Sequence, residues 1–215
     1  MLLNRKSVEL LAPAGTWDAL VAGVESGADA VYLGGKHFNM RMHEGGFNFD
    51  DATLKKAIDY AHAHGVRLYV TLNNLISNEE IPALREYLAY LNEIRPDALL
   101  VQDFAVLELV HEMGITIPLH TSVMMNTHNE HAIEKLKEYG ITRIVVGREM
   151  TLSELSLFRE RTGIEVEYFM HGDMCISESG QCIHSGVLFG QSGNRGRCLK
   201  PCRWAYKLID EQTGE

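Results

Sequence analysis

The sequence alternates short apolar runs with amphipathic stretches seven times, and this alternation restricts the fold more than any other feature. The runs VELLAPA (8–14), AVYLGG (30–35), VRLYVTLNN (66–74), DALLVQD (97–103), IPLHTS (117–122), TRIVVGRE (142–149) and IEVEYFMHG (164–172) have strand length and are mostly apolar. Such runs suit parallel strands covered on both faces. The segments between them have helical spacing. In 16–27, Leu20, Val21 and Val24 share a face, Thr16 can cap the start and Gly27 can end it. Residues 50–65, 78–95, 104–114, 126–140 and 151–163 follow the same logic. Parallel neighbours need right-handed crossovers, and these helices supply them. The expected fold is α/β, a TIM-type (β/α) barrel. Seven units in 215 residues fall short of the about 250 residues typical of eight, so the barrel is expected to be incomplete. WAYKLIDEQTGE (204–215) reads as the start of a further strand. An open doubly wound sheet is the alternative, but no G-x-G-x-x-G follows the first strand. The expected division is a barrel core over 1–172 and a Cys- and Gly-rich segment over 173–215 that continues it.

Hydrophobic residues make up 46% of the chain, enough for a core that needs no disulfide staples. The first ten residues, MLLNRKSVEL, lack the apolar stretch of a signal peptide. No apolar run approaches the about 20 residues of a membrane span. A cytoplasmic location with no membrane partner is expected. The net charge of −9 argues against a protein coated by nucleic acid. One stretch runs the other way: RGRCLKPCRWAYK (195–207) has five cations and no acid. Arg195, Arg197, Lys200 and Arg203 are candidate phosphate contacts. A solvated loop, or charge compensation for nearby thiolates, is the alternative.

Chemistry in a (β/α) barrel gathers at the C-terminal strand ends. Here those ends carry Asn73 and Asn74, Gln102 and Asp103, His120 and Ser122, Arg148 and Glu149, and His171 and Asp173. The long second loop adds Arg41. Together they describe a polar pocket. His120, Arg148, Glu149, His171 and Asn73 are the catalytic candidates. Arg41, Gln102, Asp103 and Ser122 are the substrate-binding ones. His120 lies inside an apolar run, where an imidazole needs partners, so a structural role competes with a catalytic one.

All four cysteines fall within 28 residues, spaced C-x6-C-x15-C-x3-C at Cys175, Cys182, Cys198 and Cys202. In a reducing compartment such a group binds metal or does redox chemistry more often than it forms disulfides. Structural zinc favours tighter pairs. Iron–sulfur loops vary more in spacing. Iron–sulfur, zinc and free thiols all remain open on these grounds.

The stretch EYFMHGDMCISESGQCIHSG closely resembles the signature of the peptidase U32 family. Glu167, Phe169, Gly172, Cys175, Gly180, Cys182 and Ser185 fit it, whereas Asp173 and His184 depart from it. ELLAPAG, GADAVYLGG, YVTLNN, LHTS and GRE are similar to the family as well. The resemblance implies one of two activities. Some members are collagenase-like proteases. Others are oxygen-independent hydroxylases of a tRNA uridine, an rRNA cytidine or a ubiquinone precursor. For these it implies a [4Fe–4S] cluster on cysteines of this region and prephenate as hydroxyl donor. Arg41 and Arg148 would hold such a carboxylate. Relatives are generally longer, and some take a cluster ligand from farther downstream, so Cys198 and Cys202 need not both be ligands. A truncated chain would hold zinc or nothing. Four clustered thiols exceed what one cysteine nucleophile needs, and no H-E-x-x-H or G-x-S-x-G is present. RNA hydroxylation, with tRNA as the first candidate, is therefore expected. A U32-type peptidase and a non-catalytic metal-stabilised module are the alternatives.

Overall fold

The computed structural model describes residues 8–172 and 174–214. Seven strands form one sheet in chain order: β1 (Leu11–Pro13), β2 (Ala30–Gly34), β3 (Arg67–Leu72), β4 (Ala98–Val101), β5 (Leu119–Thr121), β6 (Ile141–Val145) and β7 (Glu165–Glu167). Every neighbouring pair is parallel. The crossovers are α1 (Trp17–Glu25), α2 (Asp51–Ala63), α3 (Ile81–Ile94), α4 (Phe104–Glu112), α5 (Glu130–Glu138) and α6 (Leu152–Thr162). The result is the expected α/β architecture, a curled, incomplete barrel. Among the described residues β1 and β7 do not pair with each other.

Local chemistry sets the helix starts. Thr16 accepts from the Ala19 amide, Asp50 from Thr53 and Asn129 from Ala132. Thr151 and Glu154 form a reciprocal capping box at α6. The main core lies between the sheet and the helices, where Leu20, Leu54, Leu84, Leu88 and Ile133 cover Val31, Leu68, Val70 and Leu99. The inner apolar cluster is small: Ala30, Tyr69, Ala98, Leu100 and Val145. Inside the curl, polar side chains take the remaining space.

Two expectations need correction. The seventh strand ends at Glu167 and not at residue 172, because its pairing with β6 stops at Val145 opposite Glu167. Over the Cys-rich segment, where no obvious helix follows the seventh run in the sequence, the structure has a short one, α7 (His184–Phe189). Residues 204–214 form no strand and expose Tyr206, Leu208 and Ile209. Asp173 lies outside the described residues, as do 1–7 of the expected core and Glu215. No helix among the described residues is long and apolar enough to cross a membrane.

Candidate active site

An ionic network centred on the largely buried Arg143–Glu9 pair ties the strands of the curl together. The β5–β6 register shifts between Leu119 and His120, so that His120 pairs with Arg143, and Arg143 with Glu165 of β7. Such a bulge re-aims the side chains around it. Arg143 donates to Glu9 at 2.6 Å through Nη1, and to Glu165 at 3.0 Å and 2.8 Å through Nε and Nη2. The Tyr69 hydroxyl donates to the Glu9 carboxylate at 2.9 Å, and Arg67 is a further partner of Glu9. The Arg143 guanidinium lies 5.4 Å from the centre of the Tyr69 ring. One carboxylate ahead of β1 is thereby tied to β3 and β6, and through Arg143 to β7. Burial alone would raise the Glu9 carboxyl, but Arg143, Tyr69 and Arg67 outweigh it and hold it below its usual range.

Above this network sit groups whose polar atoms are not satisfied. Glu167 Oε2 is 3.8 Å from Arg143 Nη1, beyond hydrogen-bond range, and has no hydrogen-bond partner. Burial pushes Glu167 up to about 7, against the pull of Arg143. Its charge, added to burial, also raises the Tyr32 phenol, while Arg41 opposes that shift. His120 stacks edge-on against Tyr69 with ring centres 4.9 Å apart. Burial, and then Arg143, push the imidazole down to about 3, so it is neutral near pH 7. His120 Nδ1 and Gln102 Oε1 have no hydrogen-bond partner, although both residues are more than nine-tenths buried. Both groups lie near Arg143, and of the two only Glu167 exchanges its proton near neutrality, while His120 stays a neutral hydrogen-bonding group.

The Glu167 shift has a measurable consequence. Its folded pKa is raised, so the folded protein holds the proton more tightly than the unfolded chain, and stability falls as pH rises from about 4.5 to about 7. Glu167→Gln removes that fall. The variant should gain about 2–3 kcal/mol on wild type between pH 5 and pH 8, by urea unfolding at both pH values. Equal differences at the two pH values would show that Glu167 titrates normally.

The mouth of the curl is covered by the Cys-rich segment, and several expected site residues hold it there. Ser179 donates from its amide to Glu149 at 2.8 Å, and its hydroxyl accepts from Arg148 at 3.2 Å. The Leu75 amide donates to the Asn194 carbonyl at 2.9 Å, and the Asn194 side chain donates to the Gly180 carbonyl. Arg195 grips Glu80 with two nitrogens, at 2.9 Å and 3.0 Å, and also donates to the Leu75 carbonyl. Lys200 pairs with Glu44, which Arg41 also holds. Arg197 Nε donates to His43, and Arg203 donates to the Met174 carbonyl. The cations expected at phosphates are thus partly engaged with the barrel and its loops.

Other expected pocket residues have structural partners. Asp103 caps α4 and accepts from the amides of Ala105 and Ile76. Ser122 accepts from the Met124 amide and from Asn73, while Asn73 accepts from the Met40 amide. His171 lies exposed beyond the end of β7 and does not join the mouth. Sequence reasoning missed Glu9, Tyr32 and Arg143, and it placed Glu167 only in a signature. The available signal was charge inside apolar runs, at VELL, TRIVV and IEVEY.

Residues 15–215 match the sequence profile of Peptidase family U32. The chain belongs to the peptidase U32 family. It is 34% identical over 203 residues to a tRNA hydroxylation protein of Bacillus subtilis, covering 94% of this chain and 48% of that protein. It is 35% identical over 214 residues to a 23S rRNA 5-hydroxycytidine synthase of Escherichia coli, covering 99% of this chain and 32% of that protein. The chain thus spans half or less of the length of these relatives. A solved U32 peptidase, Mk0906, superimposes with a TM-score of 0.63 at 17% identity, over 75% of this chain and 68% of that one. That likeness supports the fold.

In this U32 chain all four cysteines are free thiols, with Cys175 and Cys198 exposed and Cys182 and Cys202 half-buried. The fold draws their surroundings together. Arg203 reaches the residue before Cys175, the Leu199 amide donates to Ser185, and the Lys200 amide donates to Cys198 Sγ at 3.3 Å. Even so, no three His, Cys, Asp or Glu side chains among the described residues form a group that could hold a metal ion. As arranged, the thiols do not fit a cluster. Cys182 and His184 line one shallow hollow with Gln181 and Val187, but no hydrogen bond joins a thiol to an imidazole among the described residues.

Proposed function

We propose that this U32 chain carries the barrel of an RNA hydroxylase, with a tRNA uridine as the substrate. The observation that carries the reading is that Glu167, His120 and Gln102, on or just after strands of the curl, each keep an atom with no hydrogen-bond partner among the described residues, in a chain about 35% identical to RNA-modifying relatives. Hydroxylation replaces a base C–H by C–OH. A donor R–OH that leaves as R–H balances the exchange, supplying the oxygen and accepting two electrons. Prephenate is the donor that the family resemblance implies. Glu167, poised between its two protonation states, would hold or move a proton at the carboxyl. Neutral His120 would accept or donate a hydrogen bond without adding charge. The Cys-rich roof over the mouth would exclude water from the lumen.

A [4Fe–4S] cluster on Cys175, Cys182, Cys198 and Cys202 is a separate proposal, because these thiols would have to draw together to hold one. When bound it would supply redox or Lewis-acid chemistry. Anaerobic preparations of the full-length protein should then contain about four iron and four sulfide per chain. Zinc alone would refute the cluster. To test the activity, the full-length protein is incubated anaerobically with unmodified tRNA and prephenate, and nucleosides are analysed by mass spectrometry. A uridine one oxygen heavier is expected. Peptide hydrolysis by metal-free protein, abolished by Cys175→Ala, would establish the peptidase reading in its place.

A further inference from the structure

Residues 179–209 contain Arg195, Arg197, Lys200, Arg203 and Lys207 and no acid, in a chain whose net charge is −9. The same stretch holds aromatic rings out to solvent. Phe189 at the end of α7 is 40% exposed, Trp204 49% and Tyr206 67%. They are positioned side chains. The Phe189 and Trp204 rings lie 5.2 Å apart at 48°. The Tyr206 hydroxyl donates to the Pro201 carbonyl at 2.8 Å, and the Trp204 amide donates to the same oxygen. Arg203, between the rings in sequence, is anchored on the Met174 carbonyl. Glu80 and Glu44 offset Arg195 and Lys200. The Arg197 side chain donates to the His43 ring and forms no ion pair with a carboxylate among the described residues, and burial, and then Arg197, lower the proton affinity of that imidazole. Lys207 is exposed.

Fixed, exposed rings beside Arg197 and Lys207, which form no ion pair among the described residues, suit a polyanion with stacking faces. An apolar protein partner would leave the cations unanswered, and a duplex would hide its bases. Unpaired RNA offers both phosphate and open base faces. We propose that Phe189, Trp204 and Tyr206 form a stacking platform for unpaired RNA bases, with Arg197 and Lys207 at the backbone phosphates. The inference rests on the RNA reading above and extends it to a surface outside the lumen.

The test uses the 215-residue polypeptide with Trp17→Phe, which leaves Trp204 as the one tryptophan of that sequence. A single-stranded oligoribonucleotide should quench Trp204 emission at far lower concentration than a duplex of matched length. Trp204→Ala and Tyr206→Ala should each weaken single-strand binding about 5- to 100-fold by fluorescence anisotropy. Trp204→Phe should keep most of the affinity. Unchanged affinity in both alanine variants would overturn the platform. Three other outcomes would do the same: equal affinity for the duplex, Trp204 already shielded from acrylamide without RNA, or a signal that changes only with protein concentration, as for a face buried between copies. Hydroxylation is scored separately. Hydroxylated nucleoside with unaltered binding by the variants sinks the platform and leaves the activity. Lost binding with no hydroxylated nucleoside from wild type does the reverse.

Discussion

Arg143→Ala should lower the unfolding free energy by about 3–5 kcal/mol, the cost of breaking its buried ion pair with Glu9. Arg143 is 11% exposed at its side chain and 14% at that of its partner Glu9. It donates to residues ahead of β1 and on β7, and its plane covers Tyr69 of β3. Among the described residues β1 and β7 do not pair, so this guanidinium substitutes for hydrogen bonds that closure would supply. For a chain of this size the loss corresponds to roughly 10 °C in melting temperature. Arg143→Lys should recover only part of it, since an ammonium cannot fork to two carboxylates. A second readout separates this account from simple loss of packing. Arg143 holds Glu167 down against burial, so removing it should raise the Glu167 pKa further, by carboxyl NMR. A Glu167 titration that stays in place would mean that the two groups are not coupled.

The strand–helix alternation was legible because its signals are local. Thr16, Asp50 and Thr151 act as caps from their own positions, one residue ahead of apolar periodicity. The lumen was partly legible. His120 and Gln102 stood out as polar residues on or just after apolar strands, and both have unsatisfied buried atoms. Asp103 and Ser122 stood out equally, but they satisfy backbone amides, and sequence alone does not separate a cap from a ligand-facing group. The Glu9–Arg143 pair spans 134 residues, so no window along the chain reveals it. His171 was misplaced because Tyr168, Phe169 and Met170 extend the apolar run while the pairing with β6 has already ended at Glu167. The roof was hidden for a similar reason. Arg195 and Glu80 read as a basic tongue and a helix start until the fold brings them to 2.9 Å.

Gly180→Ala and Gly196→Ala should each release the Cys-rich roof while leaving the barrel folded. Gly180 has φ +74° and Gly196 φ +72°, a region that costs a side-chain residue about 1–2 kcal/mol. Strain is the smaller part. A Cβ on Gly180 would stand 2.3 Å from the Met124 carbonyl oxygen, and one on Gly196 2.8 Å from that of Asn39. Both obstacles are backbone of the mouth, which cannot rotate aside as a side chain can. The roof is held by a limited set of hydrogen bonds and ion pairs, so it should yield before the apolar core does. Hydrogen exchange should therefore show lost protection near Ser179 and Asn194, with β2 to β6 unchanged. If the RNA reading holds, hydroxylation should fall at least tenfold, because water then enters the lumen and Arg148 and Glu149 lose Ser179. Gly190→Ala is the matched control. Its φ is +67°, yet nothing lies within 4 Å of the added carbon, so it bears the strain alone and should keep the roof in place. Equal effects at all three glycines would mean that left-handed backbone strain, and not contact with the barrel mouth, decides whether the segment docks.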